Sequence, residues 1–151
     1  MTHIEFFWNR FLEVNHLSTD TRYVDVYHFE LTEYWANELL RLVLIGQKKA
    51  TASSLESFKL RNEPLPQIGD LNIVTDFHGN PKCVLRTTQV TILPFKDLTF
   101  DIVKREGEDD TLESWQKGHE KFFTAEGLDM GYSFTKEMLV VFEDFEVVYQ
   151  E

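Results

Sequence analysis

Apolar residues near the N-terminus recur at helical spacing. Ile4, Phe7, Trp8, Phe11 and Leu12 share one side of that repeat, which predicts a helix over residues 4–14. "TRYVDVYHFE" is β-branched and aromatic and reads as extended chain or an irregular connector. "LTEYWANELLRLVLIG" returns to helical spacing, with Thr32 placed to cap it and Trp35, Leu39, Leu42 and Val43 on its apolar face. Gly46 suits the left-handed position that ends many helices. "ESFKLRNEPLPQIGD" is polar and punctuated by Pro64, Pro66 and Gly69, and it predicts a loop. "LNIVTDF", the turn "HGNP" and the long run "KCVLRTTQVTILPF" form a hairpin pattern, with the last strand bent. "KDLTFDIVKREG" predicts a short helix closed by Gly107. Asp110 then precedes Thr111-Leu112-Glu113 in capping-box spacing, and Leu112, Trp115, His119 and Phe122 or Phe123 mark a helix over 111–125. "MLVVFEDFEVVY" predicts a closing strand.

Repeats, low-complexity segments and linkers are absent from the pattern. It fits one α+β domain over residues 1–151, with an N-terminal helix and connector in 1–28 and the core in 29–151. The strands are too few and too scattered among helices for a doubly wound fold. A small, strongly curved sheet or barrel with helices around it is expected.

Composition sharpens this only in places. Thirteen Phe, three Trp and five Tyr in 151 residues supply large apolar areas for a core. The single cysteine, Cys83, excludes a disulfide framework and a cysteine-based zinc cluster, and it reads as a small buried hydrophobe. The N-terminal apolar run carries Glu5, Asn9 and Arg10 and is not built like a signal peptide, so a cytoplasmic protein with no membrane partner is expected. The net charge of −11 argues against non-specific binding along a nucleic-acid backbone. It is compatible with a nucleoside or a short single strand bound at a local basic cleft. Basic residues gather at Lys48, Lys49, Lys59 and Arg61, and again at Lys82 and Arg86.

Three features draw attention to chemistry. Lys48 follows the glycine that ends a helix, where positive charge is favourable and a solvated lysine would be ordinary. Glu106, Glu108, Asp109 and Asp110 form an acidic turn that reads as a solvated helix cap or as oxygen ligands for a divalent cation. Trp115, His119 and Phe123 form a stripe that reads as core, with His119 partly buried and hydrogen-bonded, or as a stacking wall for a base. Phe142 lies among the apolar positions of the closing strand.

Gly46, Lys48 and Thr51 form a G-x-K-x-x-T pattern. In order behind it come "LPQIGDLNIVTDFHGNPKCVLRTTQVTILPF", "EGEDDTLESWQKGHEKFF" and "MLVVFEDFEVVY". Together these resemble the ASCH domain family from about Gly46 to the C-terminus. Two positions depart from it: Asp109 stands where the family commonly has Gly, and Phe142 where it commonly has Cys. The resemblance implies a PUA-like, strongly curved β-barrel with surrounding helices, and RNA or a small nucleoside as partner.

It implies two hydrolytic activities: amide hydrolysis on 4-acetylcytidine through a Lys, a Thr and a Glu, or cleavage of single-stranded RNA assisted by a divalent cation such as manganese. A non-catalytic RNA or modified-nucleobase binding module is the alternative. Lys48, Thr51 and Glu106 match the three catalytic positions. Thr51 would supply the nucleophile. Either Lys48 or Glu106 would handle its proton, and a cationic Lys48 would otherwise stabilise an oxyanion; the sequence leaves both open. Ser53, Arg61 and Arg86 are candidates for phosphate or base contacts, and Ser133 for lining the pocket. In a regular strand, Lys48 and Thr51 would point to opposite faces, so their convergence requires an irregular turn.

Overall fold

The computed structural model describes residues 1–151. It contains five strands: β1 (Asp25–Tyr27), β2 (Ala50–Ser54), β3 (Leu71–Thr75), β4 (Pro81–Pro94) and β5 (Leu139–Gln150). Around them lie five helices: α1 (His3–Val14), α2 (Glu33–Leu44), α3 (Leu55–Arg61), α4 (Phe100–Val103) and α5 (Leu112–Met130). The strands form one sheet in the order β1-β3-β4-β5-β2, parallel between β1 and β3 and antiparallel elsewhere. A single cavity is lined by residues of both edge strands, β1 and β2, although these lie farthest apart in the order. The sheet therefore curls into a half-barrel around that cavity. Register shifts in β4 at Val84/Leu85 and Thr87/Gln89 help it bend, because an extra residue in one strand raises the local twist.

Alternation along the strands distributes the core over both faces. Ile73 and Val84 point outward and pack under Phe7, Trp8, Phe11 and Leu12 of α1. Their neighbours Val74, Cys83 and Leu85 point inward with Phe145, and Leu39, Leu40, Leu42 and Val43 of α2 plug that end of the half-barrel. Burial there pushes the Cys83 thiol up to about 12, so it stays a neutral hydrophobe. On the far outer flank, Ala50, Val140 and Phe142 meet Phe95, Val103, Trp115 and Phe123 from the α4–α5 side. Phe142 is thus a core residue.

Several expectations need correcting. Residues 55–61 are helical, not a loop. Ser54 accepts from the Ser57 amide and caps the segment, and Asn62, at φ 55°, ends it in the left-handed region. Few apolar residues mark its inner face, so hydrophobic periodicity misses it. The expected helix over 96–107 is split into a 3-10 turn at Phe95–Asp97, α4, and a second 3-10 turn at Lys104–Glu106. Thr111, rather than Asp110, caps α5 by accepting from the Ser114 amide, while Asp109 accepts from the Ser114 hydroxyl. The helix also runs on to Met130. Trp35 is 51% exposed, and Ala36 takes the place expected for it in the buried face of α2.

Candidate functional site

Lys48 sits in the turn between α2 and β2. The turn is held from three directions. Gly46 adopts φ +81°, and the Gln47 and Lys48 amides both donate to the Leu42 carbonyl, at 2.9 and 3.0 Å. The Lys49 amide donates to Arg105 at 2.9 Å, which lays the turn along the 104–107 segment. Gly107 closes the contact from the other side. It adopts φ +71°, and a Cβ built on it would lie 2.2 Å from the Gln47 carbonyl oxygen.

This packing drives the Lys48 side chain inward, to 2% exposure. Its ammonium donates to Ala50 O at 2.8 Å, Glu106 Oε2 at 3.0 Å and Glu108 Oε2 at 2.6 Å. An ammonium has three N–H groups, and these three acceptors use them all. The Phe29 ring lies 5.4 Å from the nitrogen and adds a cation–π contact. Glu106, also buried, accepts from the Trp115 indole N–H at 2.9 Å and lies 3.1 Å from His119 Nε2. His119 Nδ1 faces the Trp115 carbonyl at 3.0 Å, so both ring nitrogens face acceptors and both need a proton. The imidazole stacks on the Trp115 ring, with centroids 4.0 Å apart.

Electrostatics follow from this wiring. Burial pulls the Lys48 pKa down, but the charges of Glu106 and Glu108 outweigh it, so the amine is held above its ordinary value and stays cationic. Burial likewise opposes the charged form of His119, and Glu106 more than offsets it, raising the imidazole. Burial would raise Glu106, yet Lys48 and His119 hold it well below the usual carboxylate range. Glu108 differs. Burial and the neighbouring Glu106 charge outweigh Lys48 and push Glu108 up to about 7.

That last shift has a measurable sign. Glu108 binds its proton more tightly in the folded state than in the unfolded chain, where its value is 4.5. Its contribution is fully present below 4.5 and is lost as pH rises to about 7. His119, raised from 6.5, acts in the same direction at the upper end. Unfolding free energy from urea titrations is therefore expected to fall across this window. Glu108→Gln should flatten the lower part of the slope, and an unchanged slope in that variant would refute the assignment.

The cavity lies elsewhere. Along β2, Ala50 and Ala52 pack into the outer core, whereas Thr51 and Ser53 face the concave side and line a cavity of about 420 Å³. Tyr27 of β1, Arg61 at the end of α3, Asn72 of β3 and Glu143 of β5 complete much of its wall. Glu143 is the cross-strand partner of Thr51. It accepts from the buried Thr87 hydroxyl at 2.6 Å, and burial raises its pKa.

The structure thus joins Lys48 to Glu106 in the turn before β2, while Thr51 within β2 lines the cavity, which Lys48 does not reach. Ser53 and Arg61 share the cavity with Thr51. Arg86 does not: it points outward and is ion-paired with Glu146, its cross-strand partner. Ser133 lies in a separate surface depression beside Tyr132 and Leu55. The acidic turn does not fit a resident divalent cation. No group of three His, Cys, Asp or Glu side chains is arranged to hold a metal, and Glu106 and Glu108 face an ammonium instead. Sequence reasoning named Glu108 only within the acidic turn, as a solvated cap or cation ligand rather than a partner of Lys48, and did not pick out Glu143. The available signal for Glu143 was its place directly after the apolar run Leu139–Phe142, although Asp144 and Glu146 beside it give the same local signal.

The sequence model of the ASCH domain matches residues 25–149. The ASCH domain structure from Lactobacillus crispatus JV V101 is similar at 32% identity and TM-score 0.85, covering 98% of this chain and 95% of that one. A protein from Enterococcus faecalis V583 is similar at 34% identity and TM-score 0.88, covering 96% and 87%. No curated protein matches the chain. No helix is long and apolar enough to cross a membrane.

Proposed function

Because the chain belongs to the ASCH domain family, which is RNA-associated, we propose that its concave cavity binds one nucleoside unit of a short single-stranded RNA, or a free nucleoside. The observation that carries this reading is the cavity itself. Its size falls within the roughly 300–1,000 Å³ of small-molecule sites. Tyr27 and Phe58 offer ring faces, Thr51, Ser53 and Asn72 offer hydrogen bonds, and Arg61 offers a guanidinium suited to phosphate. The net charge of −11 favours one or a few nucleotides over a long strand.

Binding without turnover is favoured over hydrolysis. A hydrolytic reading needs Thr51 to be activated, and Lys48 has no free lone pair and no spare N–H with which to do it. Incubation with 4-acetylcytidine, and with single-stranded RNA with and without manganese, separates the two. Product formation lost in Thr51→Val would return the protein to the hydrolases. Saturable binding with no product supports the module.

Arg61 provides the binding test. Arg61→Ala is expected to weaken a cytidine monophosphate or short RNA about tenfold. For RNA, the slope of log K against log salt should also shrink by about 0.7, the loss of one phosphate contact. An affinity and slope equal to wild type would place the phosphate away from Arg61.

A further inference from the structure

We propose that Glu143 selects the ligand's base, accepting an N–H from an amino-bearing ring edge and rejecting the keto counterpart. This inference rests on the cavity binding a nucleoside and specifies what it reads there. Glu143 projects from β5 into the cavity beside Thr51, its cross-strand partner. One carboxylate oxygen, Oε2, is held by the Thr87 hydroxyl at 2.6 Å, and Thr87 is itself buried. That bond fixes the carboxylate's orientation. The other oxygen, Oε1, accepts from no protein donor and is not sealed from the cavity. A carboxylate oxygen so placed is an acceptor awaiting a donor.

The surroundings reinforce the choice. Asp25, Glu63 and Asp70 also line the cavity, against Arg61 and His28 as its basic residues. A base offering an exocyclic amine meets this field favourably. A keto oxygen at the same place would set lone pair against lone pair and leave the partly buried carboxylate unpaired. Sites built to hydrogen-bond one group reject analogues lacking it far more strongly than apolar pockets reject a missing methylene.

Calorimetric titration of the full-length protein with matched pairs tests this. Cytidine is expected to bind at least about tenfold tighter than uridine, and adenosine tighter than inosine. Glu143→Gln keeps the shape and adds an amide N–H that can meet a keto oxygen, so the preference should collapse. Thr87→Val, which frees the carboxylate without changing charge, should narrow it. Thermal melting of each variant verifies that it is folded. Equal binding of amino and keto bases by wild type, or a preference surviving in folded Glu143→Gln, would overturn the role of Glu143 while leaving the cavity as the nucleoside site. Failure of every nucleoside and of short RNA to bind would overturn the cavity reading and this inference with it.

Discussion

Lys48→Ala is expected to lower the unfolding free energy by about 3–5 kcal/mol, read from the midpoint of a urea or guanidinium titration. The size comes from what is left behind more than from what is removed. The ammonium sits between Glu106 and Glu108 and donates to both. Without it, Glu106 keeps the Trp115 indole and His119, and Glu108 loses its nearest counter-charge. Two carboxylates then share a mostly buried space with less compensation, and at least one must take up a proton. The deficit should therefore grow as pH rises from about 5 to about 8, because the variant must bind protons that the solution no longer supplies. Against a typical domain stability of about 5–15 kcal/mol, this change is large. Lys48→Met with Glu106→Gln, which removes charge on both sides, should recover much of the loss. A deficit under about 1 kcal/mol would mean that the ammonium does not hold the cluster together.

Gly107→Ala should cost about 2–5 kcal/mol, from two separable sources. A residue with a Cβ at φ +71° carries a left-handed penalty of about 1–2 kcal/mol. The added carbon would also lie 2.2 Å from the Gln47 carbonyl oxygen and 2.7 Å from its carbon, so backbone must move. Overpacking of that kind costs about 1–3 kcal/mol. Gly46→Ala isolates the first source: Gly46 is also left-handed, at φ +81°, but a Cβ there meets nothing within 4 Å. It should cost about 1–2 kcal/mol. The difference between the variants, measured by chemical denaturation, is the cost of separating the two turns that hold Lys48 and Glu106. Equal losses at the two glycines would show that the close approach yields without penalty.

The helices with a continuous apolar stripe were readable from spacing alone. Phe7, Trp8, Phe11 and Leu12 in α1, and Leu39, Leu42 and Val43 in α2, are buried where the stripe puts them. The bend in "KCVLRTTQVTILPF" and the end of α2 at Gly46 were likewise visible. Trp35 was misread because it fits the helical spacing at the margin of the stripe, and its neighbour Ala36 is the buried position instead. The α3 segment was hidden because a short helix held by a Ser54 cap leaves little periodic signal.

For the site, the pairing of Lys48 with Glu106 was approached through family resemblance, since the residues lie 58 positions apart. Glu108 stood two residues further on in the same turn and was read only as a solvated acid or cation ligand, because nothing local shows which acids of "EGEDD" face inward. The left-handed Gly107 between Glu106 and Glu108 turns both toward one ammonium.

The sequence by itself determined the class of fold, the helices with a continuous apolar stripe, the central hairpin and closing strand, the burial of Cys83 and Phe142, and the fact that Lys48 and Thr51 cannot share a face of a straight strand. Those properties depend on local geometry: helical spacing, strand alternation and glycine's access to positive φ. Only the tertiary structure decided which face each residue occupies. The outer flank took Lys48 into a network with Glu106, Glu108, Trp115 and His119, and the curl of the sheet gathered Thr51, Ser53, Arg61 and Glu143 around one cavity. That choice belongs to pairings between distant strands and to the close contact of two turns, whose register the chain sets only when the whole sheet closes.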